Sequence, residues 1–254
     1  MSPRAPAAPI PDSTRPALTG PALAGIRRLS AIDTVRARIA MAVELQLLRP
    51  GDGLPPPAEI ARALAVSEIT VKRGLTQLAR EGVLERRRGR NGGTLVAQSP
   101  QLGRVSETAA YRDAASEVHD VIDRRLLLEC GVAHLAALSA TKKQVAALRD
   151  FATRMDHTET WADFHGLDEQ FHLLLAEATR LPPAKAQYEI VLRELYDYYL
   201  PYPMAYLRKS NREHHDLIDA IASRDPAAAV DVARRHVSTL HKSMFVGLSK
   251  APVA

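Results

Sequence analysis

Apolar residues near the start of the chain recur at Ile32, Val35, Ile39, Val43 and Leu47, steps of three and four that trace one stripe along a helix. Arg49-Pro50-Gly51-Asp52-Gly53 ends it, because proline cannot continue a helix and the glycines permit a turn. Leu54-Pro55-Pro56-Pro57 leads into a second helix that carries Ile60, Ala61 and Leu64 inward, prolines being tolerated in a first turn. Val66-Ser67 makes the next turn, and Ser67 is placed to cap a third helix over 68–81, which Gly82 closes. Val83–Arg87, a glycine-rich loop over 88–93 and Thr94-Leu95-Val96 then read as strand, loop, strand.

Beyond a Pro- and Gly-containing linker at 99–105 the pattern changes. Every long segment has helical periodicity, predicting helices over about 106–139, 141–157, 160–179, 184–201, 203–223 and 226–248. Thr141 and Asp225-Pro226 are start signals. With no strand pattern and no internal repeat, this half is expected to be an antiparallel all-helical bundle. The fold class is therefore mainly α: a winged helix-turn-helix over 26–98, then a helical domain over 106–249. Residues 1–25, with proline at 3, 6, 9, 11, 16 and 21, are expected to form a disordered tail.

Composition adds location to this outline. The 254 residues carry a mild net charge of +5, yet 26–98 hold 13 Lys and Arg against 7 Asp and Glu. Positive charge thus gathers where a duplex would be met. No run of apolar residues is long enough for a membrane span, and no secretory signal is legible, so a cytoplasmic protein is expected. Cys130, the only cysteine, is expected to be a small core residue in a reducing compartment.

In a helix-turn-helix the second helix offers its N-terminal residues to the major groove. Here those are Ser67, Glu68, Ile69, Thr70, Lys72 and Arg73, while Val71, Leu75 and Leu78 face inward. The wing supplies Arg86, Arg87, Arg88 and Arg90 around a tip that includes Gly92. Guanidinium groups take phosphate oxygens bidentately, and glycine lets a backbone approach closely. Ala31–Val96 resembles the winged helix-turn-helix of the GntR family in Leu48–Asp52, Glu59-Ile60-Ala61, Val66-Ser67, Gln77–Gly82 and Gly92–Val96. It departs at Ala58, Glu68 and Lys72, where relatives usually carry arginine. Glu68 would repel phosphate and could accept from cytosine N4, leaving Arg62, Arg73 and the wing to supply the missing charge.

Asp168 and His172 lie four residues apart, one turn along a helix, so both can meet one ion. His214 and His236 accompany apolar stripes on two further helices, and a core-facing imidazole needs partners for its nitrogens. Convergence of the four would make a site of three imidazoles and one carboxylate, suited to a divalent ion: Zn, Ni, Fe or Mn. The other histidines (119, 134, 157, 165, 215 and 241) show no such spacing, His165 being the nearest rival.

Residues 107–248 resemble the FCD ligand-binding domain of the FadR subfamily. The resemblance rests on Arg125–Glu129, Asp168–Leu175, Glu213-His214 with Ala220-Ile221, and Asp225 with His236 eleven residues on. It implies Asp168, His172, His214 and His236 as ligands of a divalent metal, with a small carboxylate effector completing the coordination. Arg125 matches a position that faces the effector carboxylate; its bland alternative is a surface ion pair with Glu129. Six helices favour the shorter, VanR-like variant. The expected protein is a DNA-binding regulator, a repressor and not an enzyme. Its expected partners are a palindromic double-stranded operator, a small organic acid and a second copy of the chain. The rivals are a metalloenzyme built on the same aspartate and three histidines, and a regulator whose metal is purely structural.

Overall fold

The computed structural model describes residues 29–88, 93–196, 198–199 and 202–243. The proline-rich tail over 1–25 and the wing-tip residues Arg90 and Gly92 lie outside them.

Helix α1 (Ala31–Glu44) starts at Ser30, whose hydroxyl accepts from the Asp33 amide. It packs across α3 (Glu68–Arg80), as does α2 (Pro57–Ala63). The two turns that redirect the chain use left-handed glycines, Gly51 at φ +85° and Gly82 at φ +78°. Strands β1 (Leu84–Arg87) and β2 (Gly93–Val96) pair antiparallel from Leu84 opposite Val96 to Arg87 opposite Gly93. Val35, Ile39, Val71, Leu75, Leu78, Val83 and Val96 fill the core beneath them, which is the inward set the periodicity predicts together with the two strand ends.

The predicted linker is not a loose connection. The Gln101 amide donates to the Gly82 carbonyl, a 3-10 turn follows at Leu102–Arg104, and Val105 is buried. The long helix expected from 106 is broken at Ala114 into α4 (Thr108–Asp113) and α5 (Ala115–Ser139). Ion pairs decide where α4 belongs. Arg36, almost wholly buried in α1, reaches Glu107 and Glu81, and Arg112 grips Glu44. The first turns of the predicted bundle therefore pack on α1.

The bundle itself comprises α5, α6 (Lys142–His157), α7 (Trp161–Glu177), α8 (Pro182–Tyr196), α9 (Met204–Ala222) and α10 (Pro226–Ser238), with a short α11 (Leu240–Ser243). Thr141 and Gln144 close a reciprocal capping box at α6, and the Asp225 carboxylate caps α10, as the start signals require. Among the described residues the bundle thus has six long helices, with α4 and α11 as short extra ones. None is long and apolar enough to cross a membrane. The strongest packing is between α5 and α10, and α5 also touches α7, α8 and α9. That central position of α5 sets up the site.

Candidate metal centre and nucleic-acid interface

Three imidazoles meet inside the bundle. His172 comes from α7, His214 from α9 and His236 from α10, and one nitrogen of each lies within 4.8 Å of the others. His172 and His214 are fully buried; the side chain of His236 is 10% exposed.

Each ring is oriented from behind through Nδ1. His236 Nδ1 donates to Glu213 Oε2 at 2.9 Å. His214 Nδ1 donates to Asn211 Oδ1 at 3.1 Å, and the Asn211 amide is held in that sense because its nitrogen donates to the Ala152 carbonyl and to Asp156. His172 Nδ1 lies 3.0 Å from Glu129 Oε1 and 3.2 Å from the Tyr188 hydroxyl, which itself donates to Glu129. The outer partners accept, so the protons sit on Nδ1 and the Nε2 lone pairs are left for the interior, where that of His172 accepts from Arg125. Such outer partners fix the tautomer of metal-ligating histidines.

Asp168 completes the group unevenly. Its Oδ1 is 3.8 Å from His172 Nε2 and 3.5 Å from His214 Nε2, while Oδ2 accepts from the Tyr196 hydroxyl at 2.6 Å. Ligand bonds of about 2.0–2.2 Å put neighbouring donor atoms roughly 3–3.5 Å apart, so a small contraction would bring this set onto one ion. Burial alone would raise the Asp168 pKa; His172, His214 and the Tyr196 hydrogen bond instead hold it down at about 2. Burial, reinforced by His236, pushes His214 well below the usual histidine range. An ionised carboxylate beside a neutral imidazole is the state that divalent ions require. His214 Nε2 is buried with no hydrogen-bond partner. An orphaned imidazole nitrogen is costly unless something binds it. The donor set therefore fits a divalent ion.

Arg125 is not on the surface. Its side chain is 1% exposed, and it donates to Glu129 at 2.9 Å, to the Tyr199 hydroxyl at 2.8 Å and to His172 Nε2 at 3.1 Å. The predicted partnership with Glu129 exists, but as a buried pair at the edge of the histidine cluster. Burial works against both charges; their mutual attraction prevails, raising Arg125 and lowering Glu129. Beside them a 40 Å³ cavity is lined by His165, Asp168, Tyr199, Tyr202, Tyr206 and His236 among others. His165 is thus a lining residue, its ring 4.3 Å from that of Tyr196.

Several residues of this shell escaped the sequence reading: Glu129 as the orienter of His172, Tyr188, Tyr196, Tyr199, Asn211, and Glu213 as the orienter of His236. The one signal available was position, since Glu129 ends the Arg125–Glu129 motif and Glu213 precedes His214. One other expectation fails. Cys130 is half-buried instead of a core residue, because it lies on the flank of α5. His119 and His241, which the spacing did not recommend as ligands, take no part in the histidine cluster and stack on each other at 4.8 Å.

On the opposite half, α3 turns Ser67, Glu68, Ile69, Lys72 and Arg73 outward, with Ile69 63% exposed. Ser67 and Thr70 are engaged in capping: the Ser67 hydroxyl accepts from the Thr70 amide and meets its hydroxyl at 2.7 Å. Lys72 is paired with Glu68 at 2.6 Å. In the wing, Arg86 donates to Thr76 of α3, Arg87 lies 3.8 Å from Glu85, and Arg88 is exposed. Arg62, expected to add charge to this face, instead pairs with Asp163 at the start of α7, 3.0 Å away. It bridges the two halves.

Comparison with known proteins agrees with both halves. Residues 31–96 match the model for bacterial regulatory proteins of the gntR family, and 120–239 match the FCD domain. The HTH-type transcriptional regulator LutR of Bacillus subtilis is 27% identical, over 76% of this chain and 91% of its own. The Uxu operon transcriptional regulator of Escherichia coli is 32% identical over a shorter stretch, 51% of each chain. A solved GntR structure from Streptococcus agalactiae overlays with a TM-score of 0.43 at 22% identity, covering 84% of this chain and 99% of that one. Two domain matches that together span most of the chain leave one assignment: the chain belongs to the GntR family, with an FCD domain, and is a transcriptional regulator.

Proposed function

We propose that this regulator is a repressor whose hold on a palindromic operator is set by a small carboxylate effector bound at a divalent-metal site in the helical domain. The observation that carries the reading is the histidine cluster. One nitrogen of each imidazole lies within 4.8 Å of the others, the Nδ1 atoms of His214 and His236 are tied to acceptors, and His214 Nε2 has no hydrogen-bond partner. His172, His214, His236 and Asp168 would hold the ion. When bound, it would supply a Lewis-acid point to which a carboxylate oxygen can attach. Arg125 would meet the effector's other oxygen, its planar fork being suited to a carboxylate. The 40 Å³ cavity has room for about three waters. An organic acid therefore has to displace the Arg125–His172 contact and part the tyrosine cover.

On the DNA side, α3 would present Glu68, Ile69, Lys72 and Arg73 to the major groove, with Ser67 and Thr70 at its tip. Arg86, Arg87, Arg88, Arg90 and the glycines around Gly92 would follow the phosphates. A palindromic operator calls for a homodimer. The break at Ala114 joins α4, packed on α1, to α5, which carries Arg125. That short path is the proposed lever between effector and operator.

The test uses protein loaded in turn with Zn, Ni, Fe or Mn and screened against small organic acids by thermal shift, with operator binding measured beside it. An acid that binds only the loaded protein and changes operator affinity by a factor of about 5–150 is the expected result. Acids that bind equally well to metal-free protein, or bind without touching operator affinity, would overturn the proposal.

A further inference from the structure

A second void adjoins the 40 Å³ cavity beside the histidines, and it is far larger. It measures about 380 Å³ and sits where the winged half meets the bundle. Ile39, Leu48 and Ile60 line it from one half, Trp161, Ala162 and Met204 from the other. Small-molecule sites typically have such apolar walls and volumes of about 300–1,000 Å³. Packing of α2 on α7 and the Arg62–Asp163 pair join the two sides.

Two helices run from this void to the histidines. On α7, Trp161, His165, Asp168 and His172 follow at steps of four, three and four, so they share one face. Trp161 lines the large void, His165 and Asp168 line the small one, and His172 belongs to the cluster. Helix α9 repeats the order. Its Met204 lines the large void, Leu207 and Ser210 line the small one, and His214 completes the series. Trp161 and Tyr202 line both voids, so the partition between them is made of aromatic side chains. From Trp161 to Asp168 the helix rises by roughly 10 Å. An extended carbon chain gains about 1.3 Å per bond, so an acid of about eight carbons has that reach.

Charge narrows the choice further. Asp52, Glu59 and Glu159 stand around the large void, and none of them forms a salt bridge among the described residues. A second carboxylate at the far end of a ligand would be repelled there, whereas an apolar end meets apolar walls.

We infer that the void between the halves is the subsite for the body of the effector, which is an amphipathic monocarboxylic acid. Its head lies among the histidines and its tail passes Trp161 and Tyr202 to reach Ile39, Ile60 and Met204. The inference rests on the effector reading above and adds the ligand's class and length. Because Ile39 is on α1 and Ile60 on α2, the tail touches the DNA-reading half directly. Acid binding then depends on how that half is set against the bundle.

Trp161 is the only tryptophan of the chain, so its emission reports the partition directly. Full-length protein loaded with zinc is titrated with acetate, octanoate and octanedioate, by calorimetry and by fluorescence. Octanoate should bind at least about 100-fold more tightly than acetate, since a buried methylene is worth up to about fourfold. It should also shift the Trp161 emission, which acetate should not. Octanedioate should bind about 10-fold or more weaker than octanoate, and Glu59→Gln with Glu159→Gln should narrow that gap. Ala162→Phe, which fills the void, should cut the octanoate-to-acetate ratio by about 10-fold or more at native helical circular dichroism. Octanoate that binds no better than acetate and leaves Trp161 unmoved would overturn the subsite while leaving the metal-anchored acid in place. A ratio untouched by Ala162→Phe would do the same. Octanoate that binds metal-free protein equally well would take down both.

Discussion

Two ion pairs in this chain share one sequence spacing and almost nothing else. Glu68 and Lys72 on α3 are 2.6 Å apart with side chains 46% and 59% exposed; Arg125 and Glu129 on α5 are 2.9 Å apart at 1% and 0%. The first pair is solvated, and pairs of that kind contribute about 0.3–0.5 kcal/mol. The second is sealed among Tyr188, Tyr199 and His172. There the loss of either charge strands the other. One i,i+4 pattern therefore means an adjustable surface in the winged domain and a fixed scaffold in the bundle.

The largest effect should come from breaking the sealed pair. Glu129→Ala is expected to cost about 3–5 kcal/mol in urea unfolding, because Arg125 keeps a buried charge without a counter-ion. A loss below about 1 kcal/mol, the range of exposed pairs, would show that water reaches the pair and that the contrast with Glu68–Lys72 is false.

Next in size is the metal. His214→Ala should strip the bound ion as measured by mass spectrometry, whereas His215→Ala should not, since His215 turns away to pair with Asp156 at 2.8 Å. Equal metal content in the two variants would remove the histidine cluster from the proposal. The same site gives a pH dependence. His214 sits well below the ordinary histidine value of 6.5 when folded, so below about pH 6.5 the unfolded chain takes up a proton that the folded one refuses. Metal-free protein should therefore lose melting temperature as pH falls from about 6.5 toward about 5, and metal affinity should fall with it. A flat profile over that window would contradict the burial of His214.

The exposed half should respond in affinity and hardly at all in stability. Replacing Arg86, Arg87 and Arg88 with alanine should lower affinity for all duplex sequences and reduce the salt slope by about 1 for each lost phosphate contact. Folding stability should stay within about 0.5 kcal/mol of the original. An unchanged salt slope would exclude the wing from phosphate binding. The smallest change is Glu68→Gln. Freeing Lys72 and removing a negative charge from the reading helix should tighten general duplex binding several-fold, at a cost of about 0.3–0.5 kcal/mol or less. If binding weakens at one base position only, Glu68 is instead accepting a hydrogen bond from a base.

The order of legibility follows from the same contrast. The winged domain is built from neighbours in sequence, so stripe, turn, cap and wing could all be read where they stand, from Ile32 to Val96. Its side-chain partners were harder: nothing in the spacing of Arg62 announces Asp163, far along the chain. In the bundle, Asp168 and His172 are legible as one turn of helix, and His214 and His236 as histidines beside apolar stripes. Their convergence depends on how α7, α9 and α10 cross.

By itself, then, the sequence determined what repeats over a few residues: helix periodicity, the start signals at Ser67, Thr141 and Asp225, the basic wing and the residue types of a metal site. Only the tertiary structure decided what each of those residues meets. It broke the predicted 106–139 helix at Ala114, because Glu107 and Arg112 find partners on α1. It turned Arg125 from a candidate surface ion into a buried one, and it placed Glu129, Asn211 and Glu213 behind the three imidazoles. The physical reason is range. Backbone preference and amphipathic pattern act within a few turns of helix, whereas burial, charge pairing and ligand convergence depend on distances between elements that folding alone establishes.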